Sequence, residues 1–123
     1  MKISRIICVG LAMLVALVET SSGRDVREQK RIDFLIDGLA KLPGAVFIRN
    51  GSEYKAADAQ HHLRQKLNYV GERVKTAEDF IRICASESSL SHRPYEIRLG
   101  DGRTVKTAAF FAEQLKEFDA RPN

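Results

Sequence analysis

The first 23 residues, MKISRIICVGLAMLVALVETSSG, constrain this chain most, because they decide how much of it remains to fold. Lys2 and Arg5 precede an uncharged apolar run from Ile6 to Val18, which is 13 residues long. A membrane-spanning helix needs roughly 20 apolar residues, whereas a charged start, a short apolar run and small residues before a cut are typical of a secretory signal peptide. We therefore predict residues 1–23 to be a Sec-type signal peptide cleaved near Gly23, a periplasmic or secreted location, and no stable membrane anchor after cleavage.

The remaining sequence, residues 24–123, is long enough for one domain with a single hydrophobic core. Cys84 is its only cysteine, so no internal disulfide is available even in an oxidising compartment. The core must therefore hold the fold unaided. The whole chain has a formal net charge of +4, its acidic and basic residues are interspersed, and no nucleic-acid-binding motif is present. We therefore expect no nucleic acid among its partners.

Four segments have apolar residues three or four positions apart, the spacing of one face of a helix. The Pro43–Gly44 pair ends the first segment, and the second runs to about Arg73. Thr76 precedes the third in a capping-box pattern with Asp79, and Thr107 is expected to cap the fourth. The apolar residues are Ile32, Leu35, Ile36 and Leu39 in the first segment, Ala56, Ala59, Leu63, Leu67 and Val70 in the second, Phe80, Ile81 and Cys84 in the third, and Phe111, Leu115 and Phe118 in the fourth.

Short β-rich runs lie between these segments. The run AVFIR is closed by Asn50-Gly51, a strong hairpin-turn signal, and SEY can pair back with it. Further on, apolar Tyr95, Ile97 and Leu99 alternate with charged residues as in a half-buried strand, and TVK can return after the turn GDGR. The sequence thus predicts a single small α+β domain, in which about four helices pack with short antiparallel strands and hairpins.

Two adjacent histidines, His61 and His62, raise the question of a metal or catalytic site. Neighbouring side chains on a helix project about 100° apart, so this pair is poorly placed to bind one ion. Nucleophilic catalysis would need a serine or Cys84 beside a histidine base and groups that stabilise an oxyanion, and no local arrangement in this sequence supplies them. The third helix instead places Cys84 in the core as a small hydrophobe. We predict no catalytic residue, no metal and no cofactor.

His62 lies at the edge of the apolar face of its helix, whereas His61 lies opposite that face, where solvent surrounds it. His62 shares a flank of the helix with Lys66, Tyr69 and Arg73, at spacings of three or four residues. This flank could bind an anion or a partner. Alternatively, it could be an amphipathic border, where long side chains lie over the core.

We expect two further features around His62. The ring of Tyr54, just after the turn, folds over the start of the second helix. His62 and Lys66 donate to a nearby backbone carbonyl or carboxylate, and Glu53 is the candidate carboxylate.

The segments FIRNGSEY, AADAQHHLRQK, AEDFI and ASESSLSHRPYEIR follow one another between Phe47 and Arg98. In this order and spacing the chain resembles the bacterial exported proteins grouped as domain of unknown function 5329, over nearly all of the sequence after residue 23. The resemblance implies a small periplasmic or secreted protein and no particular activity. Relatives tend to open the second helix with Ser or Asp, whereas Lys55 cannot accept a hydrogen bond from the helix amides, so a weaker helix start is expected here. The positions that match the family's motif are Arg49, Asn50, Gly51, Tyr54, His62, Leu63, Lys66, Ser88 and Ser89.

Two functional hypotheses follow. The leading one is a non-enzymatic exported envelope protein, a binding or accessory module whose partner is an unknown envelope protein or a small ligand. The alternative is a small hydrolase-like enzyme that uses His62 with Glu53 or with the Ser88-Ser89 loop, which requires these side chains to lie within hydrogen-bond reach of one another. The candidate binding residues are Arg49, Asn50, Glu53, Tyr54, His62 and Lys66.

Overall fold

The computed structural model describes residues 24–122, so the predicted signal peptide at residues 1–23 lies outside it. The α-helices are α1 (Val26–Gly38), α2 (Ala56–Val70), α3 (Ala77–Cys84) and α4 (Thr107–Asp119), and single 3₁₀ turns, Leu39–Lys41 and Gly71–Arg73, follow α1 and α2. The strands are β1 (Val46–Arg49), β2 (Ser52–Tyr54), β3 (Glu96–Arg98) and β4 (Thr104–Lys106). The predicted α+β class is confirmed. Within this range no helix has the length and apolar character needed to cross a membrane.

The four strands form one antiparallel sheet in the order β2-β1-β3-β4. β1 and β2 form the predicted hairpin, and its turn residues Asn50 and Gly51 have positive φ angles of 52° and 77°. Such angles suit the type I′ turn, whose twist matches that of the paired strands. The central pair, β1 and β3, joins segments that α2 and α3 separate along the chain. The middle of the sheet therefore depends on a pairing between residues far apart in sequence.

The core lies between the helices and one face of the sheet. Phe47 in β1 is paired with Ile97 in β3, and both side chains are buried. Because successive strand residues point to opposite faces, Ile48 and its partner Glu96 belong to the other face of the sheet. The helical stripes supply the rest of the core as predicted. The largest fully buried side chains are Phe80, Phe111, Ile32, Leu35, Ile36, Leu39, Ile97, Val74 and Cys84.

The helix starts differ in how well they are capped. Thr76 and Asp79 form the predicted capping box at α3, with Thr76 Oγ1 accepting from the Asp79 amide at 3.0 Å. The prediction that Thr107 caps α4 is wrong: Lys106 holds that position, and Thr107 is the first helical residue, buried, with its amide donating to the Tyr95 carbonyl at 2.9 Å. Lys55 makes no side-chain capping bond to α2, as expected.

An ion cluster around the buried pair Arg31 and Glu28, which we call the buried ion cluster, also contains the exposed Glu78 and Asp119 and ties α1 to α3 and α4. The Arg31 guanidinium is almost inaccessible and donates to Glu78 at 2.6 Å, to Asp119 at 2.9 Å and to Glu28. Glu28 also accepts from the amide of Ala77 at the start of α3. The hydrogen bond from Arg31 lowers the pKa of the Glu78 carboxyl. Each nitrogen of the Arg31 guanidinium therefore donates to at least one carboxylate.

Candidate functional site

Sheet register and helical spacing bring four side chains together at one end of the sheet. Ile48 is paired with Glu96, so the next residues outward, Arg49 and Tyr95, lie across from each other on the face that the helices cover. In α2, His62 and Lys66 are one turn apart beside the core stripe. We call Arg49, His62, Lys66 and Tyr95 the cationic cluster.

Hydrogen bonds fix the roles of the groups in the cationic cluster. Arg49 Nη1 lies 3.1 Å from His62 Nδ1, and a guanidinium can only donate, so Nδ1 accepts. The ring proton is then on Nε2, which donates to the Tyr95 hydroxyl at 3.2 Å. Lys66 Nζ donates to the same oxygen at 3.3 Å. Because Tyr95 Oη accepts from both groups, its own hydrogen remains to be donated to something else.

The cationic cluster carries two positive charges and a neutral imidazole. Neither Arg49 nor Lys66 forms an ion pair with any carboxylate of residues 24–122; Lys66 donates instead to the backbone carbonyl of Glu87 at 3.0 Å. Burial lowers the pKa of His62, and the nearby charges of Arg49 and Lys66 lower it further. His62 is therefore neutral near pH 7. The Lys66 ammonium also lies 5.1 Å from the centre of the Tyr95 ring, within cation–π range.

An apolar cavity of about 370 Å³ opens between α2 and the sheet, next to the cationic cluster. Its floor consists of core side chains, and its rim carries Asp58, His61 and Gln65 from α2. Tyr54 also borders it. Three members of the cationic cluster, Arg49, His62 and Tyr95, also line it, in contact with one another. The apolar lining residues include Leu39, Phe47, Ile48, Ala59 and Leu63.

A second depression, the outer groove, also borders the cationic cluster and has a volume of about 320 Å³. It runs between α2 and the loop of residues 86–92, and it shares Arg49, His62 and Tyr95 with the apolar cavity. Lys66 lines only this groove. Tyr69 and Leu90, which border it, are 86% and 93% exposed. The cationic cluster thus borders both depressions.

Asn50 joins the β1–β2 turn to the loop that borders the outer groove. Its side-chain amide donates to Ser88 Oγ at 3.3 Å and accepts from the hydroxyl of Ser91. Ser88 is buried, and its backbone amide and carbonyl both bond within the loop, to Arg93 and His92. The contacts of Asn50 and Ser88 therefore shape the loop.

The structure brings some of the predicted site residues together and separates others. Arg49, His62 and Lys66 converge, and Lys66 donates to a backbone carbonyl as expected. Glu53 was the candidate carboxylate partner of His62, and this is wrong: it bonds to Arg98 at 2.7 Å on the far face of the sheet. His61 is exposed, as predicted, at the cavity rim.

Tyr95 is the member of the cationic cluster that sequence reasoning missed. Strand alternation places it on the buried face, and it is 7% exposed. A buried tyrosine needs a partner for its hydroxyl, and this requirement is a signal that could have pointed to a polar neighbour.

The arrangement that a hydrolase requires is not formed among residues 24–122. Both ring nitrogens of His62 are engaged, one by Arg49 and one by Tyr95, so neither is directed at a serine or at Glu53. Ser88 Oγ is held by Asn50 and by the amide of Ser91. The same stretch of chain contains no group of three or more His, Cys, Asp or Glu side chains placed to hold a metal ion.

Comparison with known proteins gives a family. No solved structure matches the chain. The chain is 35% identical over 91 residues to the "Uncharacterized protein YfeK" of Salmonella typhimurium, a match that covers 74% of this chain and 75% of that protein. The sequence profile described as "Family of unknown function (DUF5329)" matches residues 26–119, which include every strand and helix of the fold. The chain therefore belongs to the DUF5329 family.

Proposed function

We propose that this protein is an exported, non-enzymatic binding module that recognises an anionic group at the cationic cluster. The group belongs to a small ligand or to an envelope partner. One observation carries the proposal: Arg49 contacts the neutral His62, Lys66 contacts the Tyr95 phenol, neither cation is paired with a carboxylate of residues 24–122, and each lines an open depression.

Electrostatics favours an anion at this place. Lys66, at the Tyr95 hydroxyl, and Arg49, on the other side of the His62 ring, are like charges that repel each other, and neither is paired with a carboxylate of residues 24–122. A bound anion would offset this repulsion with charge-assisted hydrogen bonds, which are about twice as strong as those between neutral groups. The free hydrogen of Tyr95 adds a third donor to those of Arg49 and Lys66.

The hydrogen bonds of His62 favour binding over catalysis. A general base needs a free acceptor nitrogen within reach of the proton that it removes. Nδ1 of His62 already accepts from Arg49, and Nε2 carries the hydrogen that it donates to Tyr95. The imidazole therefore acts as a spacer that orients the arginine and the phenol.

The binding proposal is tested by titrating the isotope-labelled purified protein with inorganic phosphate and recording NMR shifts, with sodium chloride at equal ionic strength as reference. The test variant is Arg49→Gln with Lys66→Gln. The matched control is Arg64→Gln with Arg98→Gln, which also removes two charges, but from residues already paired with carboxylates. We expect saturable shifts around Tyr95 in the wild type and in the control only. Equal shifts in all three proteins would refute the proposed site.

Export is tested by intact-mass measurement of the native protein from the cell envelope fraction. We expect a chain that lacks its first 20 to 25 residues, because the charged start, the short apolar run and the small residues before Arg24 match a cleavable signal. An intact chain in the membrane fraction would contradict the export proposal and leave the binding test unaffected.

A further inference from the structure

We infer that the ligand of this site is a compact apolar monocarboxylate, with its carboxylate at the cationic cluster and its body in the apolar cavity. This inference rests on the proposed function and names its ligand class. The juxtaposition that carries it is a cavity lined by buried apolar core side chains and also by the guanidinium of Arg49, whose charge is paired with no carboxylate of residues 24–122.

The cationic end of the cavity suits a carboxylate. Arg49 uses Nη1 for His62, and its other N–H groups donate to no acceptor among residues 24–122, so the planar fork can address two oxygens of one carboxylate. The Tyr95 hydroxyl, which also lines this end, has its hydrogen free. A carboxylate bound by the free N–H groups of Arg49 remains in contact with the cavity, which Arg49 lines.

The floor of the cavity suits an apolar body. Leu39, Phe47 and Leu63 line it, and all three are also members of the core, at most 6% exposed. A volume of about 370 Å³ lies at the small end of the range of about 300–1,000 Å³ that is usual for small-molecule sites. Each methylene group that enters such a space from water strengthens binding about fourfold.

The far end of the cavity excludes a second negative group. Asp58 lines the rim one helical turn before His62, about 6 Å further along the axis of α2. Its carboxylate repels another anion at that end, so a dicarboxylate of similar length would bind less well than a monocarboxylate. Glu96 also borders the cavity, but its pairing with Ile48 assigns its side chain to the opposite face of the sheet.

The same chemistry could come from two sources, a free short-chain acid or the C-terminal residue of an apolar polypeptide. Hexanoate represents the first source, and N-acetylleucine, whose carboxylate lies beside an amide and a branched apolar side chain, represents the second. Tighter binding of one of the two identifies the source, and both results support the carboxylate class.

The test is isothermal titration of the purified protein with acetate, butyrate, hexanoate, N-acetylleucine and the dicarboxylate adipate at constant ionic strength. We expect hexanoate to bind about 15-fold more tightly than butyrate, because it adds two methylene groups, and adipate to bind more weakly than hexanoate. Equal affinity for acetate and hexanoate would overturn the inference. If phosphate still shifted Tyr95 in that case, the proposed anion site would stand; if phosphate also failed, both would fall.

A cavity-filling variant gives an independent check. Ala59 lines the cavity from α2 and belongs to neither the cationic cluster nor the fully buried core, and leucine is also a good helix former. We expect Ala59→Leu to weaken hexanoate at least tenfold and to leave the phosphate-induced shifts unchanged. Unchanged hexanoate affinity in a folded Ala59→Leu protein would place the apolar body elsewhere and refute the inference. The chain-length series on the wild type decides the question if that variant does not fold.

Discussion

Arg31 and Arg49 are two arginines held against the same core in opposite electrostatic settings. Three carboxylates surround Arg31 in the buried ion cluster, and its side chain is 6% exposed. Arg49 is half-buried, and its hydrogen-bond partner is the neutral imidazole of His62. The fold itself therefore balances the charge of Arg31, whereas the charge of Arg49 is balanced by solvent or by a ligand.

This difference separates a structural charge from one available for binding. Removing water from a buried ion costs several kcal/mol, which only close opposite charges and hydrogen bonds offset. The buried ion cluster meets that requirement and joins three helices. The cationic cluster does not meet it with carboxylates, and it remains next to open space.

The largest expected effect compares the two arginines directly. Arg31→Met should reduce the free energy of unfolding by about 3 kcal/mol or more, because Glu28 stays buried without its partner. Arg49→Met should cost about 1 kcal/mol or less, because water in the apolar cavity can reach His62. Urea denaturation of both variants measures the difference. Equal losses would show that Arg49 is as structural as Arg31.

The next effect concerns the histidine that holds the cationic cluster together. His62→Ala should cost about 1–3 kcal/mol through lost packing and through the lost partner of the buried Tyr95 hydroxyl. His61→Ala is the control on the neighbouring exposed position and should leave thermal melting unchanged. Similar losses for the two variants would mean that His62 has no special part in the cluster.

Loss of the capping box of α3, the helix that carries Glu78 of the buried ion cluster, should have a smaller effect on stability. Thr76→Ala should cost about 1 kcal/mol, because Thr76 Oγ1 accepts from the otherwise unpaired amide of Asp79. For a domain of this size the melting temperature should fall by roughly 4–8 °C. Differential scanning calorimetry measures the shift, and an unchanged melting temperature would show that the cap adds nothing.

The smallest expected effect is the change in stability with pH, which differs between the two regions. The folded pKa of His62 is lowered below the ordinary 6.5, so the unfolded chain binds more protons and stability falls as pH falls from about 6.5 towards the folded pKa. The pKa of Glu78 is lowered from 4.5, so its contribution is lost only as pH falls below about 4.5, and solvent screening keeps it small.

Thermal melting as a function of pH separates these two windows. We expect His62→Gln to remove the loss of stability that begins as pH falls below about 6.5 and to keep the loss below about pH 4.5. If the melting temperature of His62→Gln changed with pH as that of the wild type does, the loss of stability below about pH 6.5 would belong to a group other than His62.

The sequence predicted the parts of the fold that depend on local signals. Helical spacing, the Asn50-Gly51 turn and the Thr76 capping box each involve residues within a few positions of one another, and the structure has all three. The prediction for Thr107 was wrong because a threonine near the start of a helix can be either the capping residue or the first helical residue, and the local sequence does not distinguish the two. Burial of its side chain decides between these, and burial depends on the whole fold.

The cationic cluster was only partly predictable. Helical spacing placed His62 beside Lys66, but the position of Tyr95 across from Arg49 depends on the register of β1 with β3, which no local pattern specifies. Glu53 was assigned by nearness in sequence. Alternation along β2 moves it to the opposite face from Tyr54, and Arg98 binds it there.

The most direct test of the account is the melting temperature of the wild type and of the Arg49→Gln, Lys66→Gln variant, each without and with saturating hexanoate. A ligand that binds only the folded state raises stability by RT ln(1 + [L]/Kd). We predict that the variant without ligand melts at most about 4–8 °C below the wild type, which corresponds to a loss of about 1 kcal/mol, and that hexanoate raises the melting temperature of the wild type alone. A variant that melts far below the wild type without ligand, or that hexanoate stabilises equally, would contradict the claim that these two cations serve a ligand and not the fold.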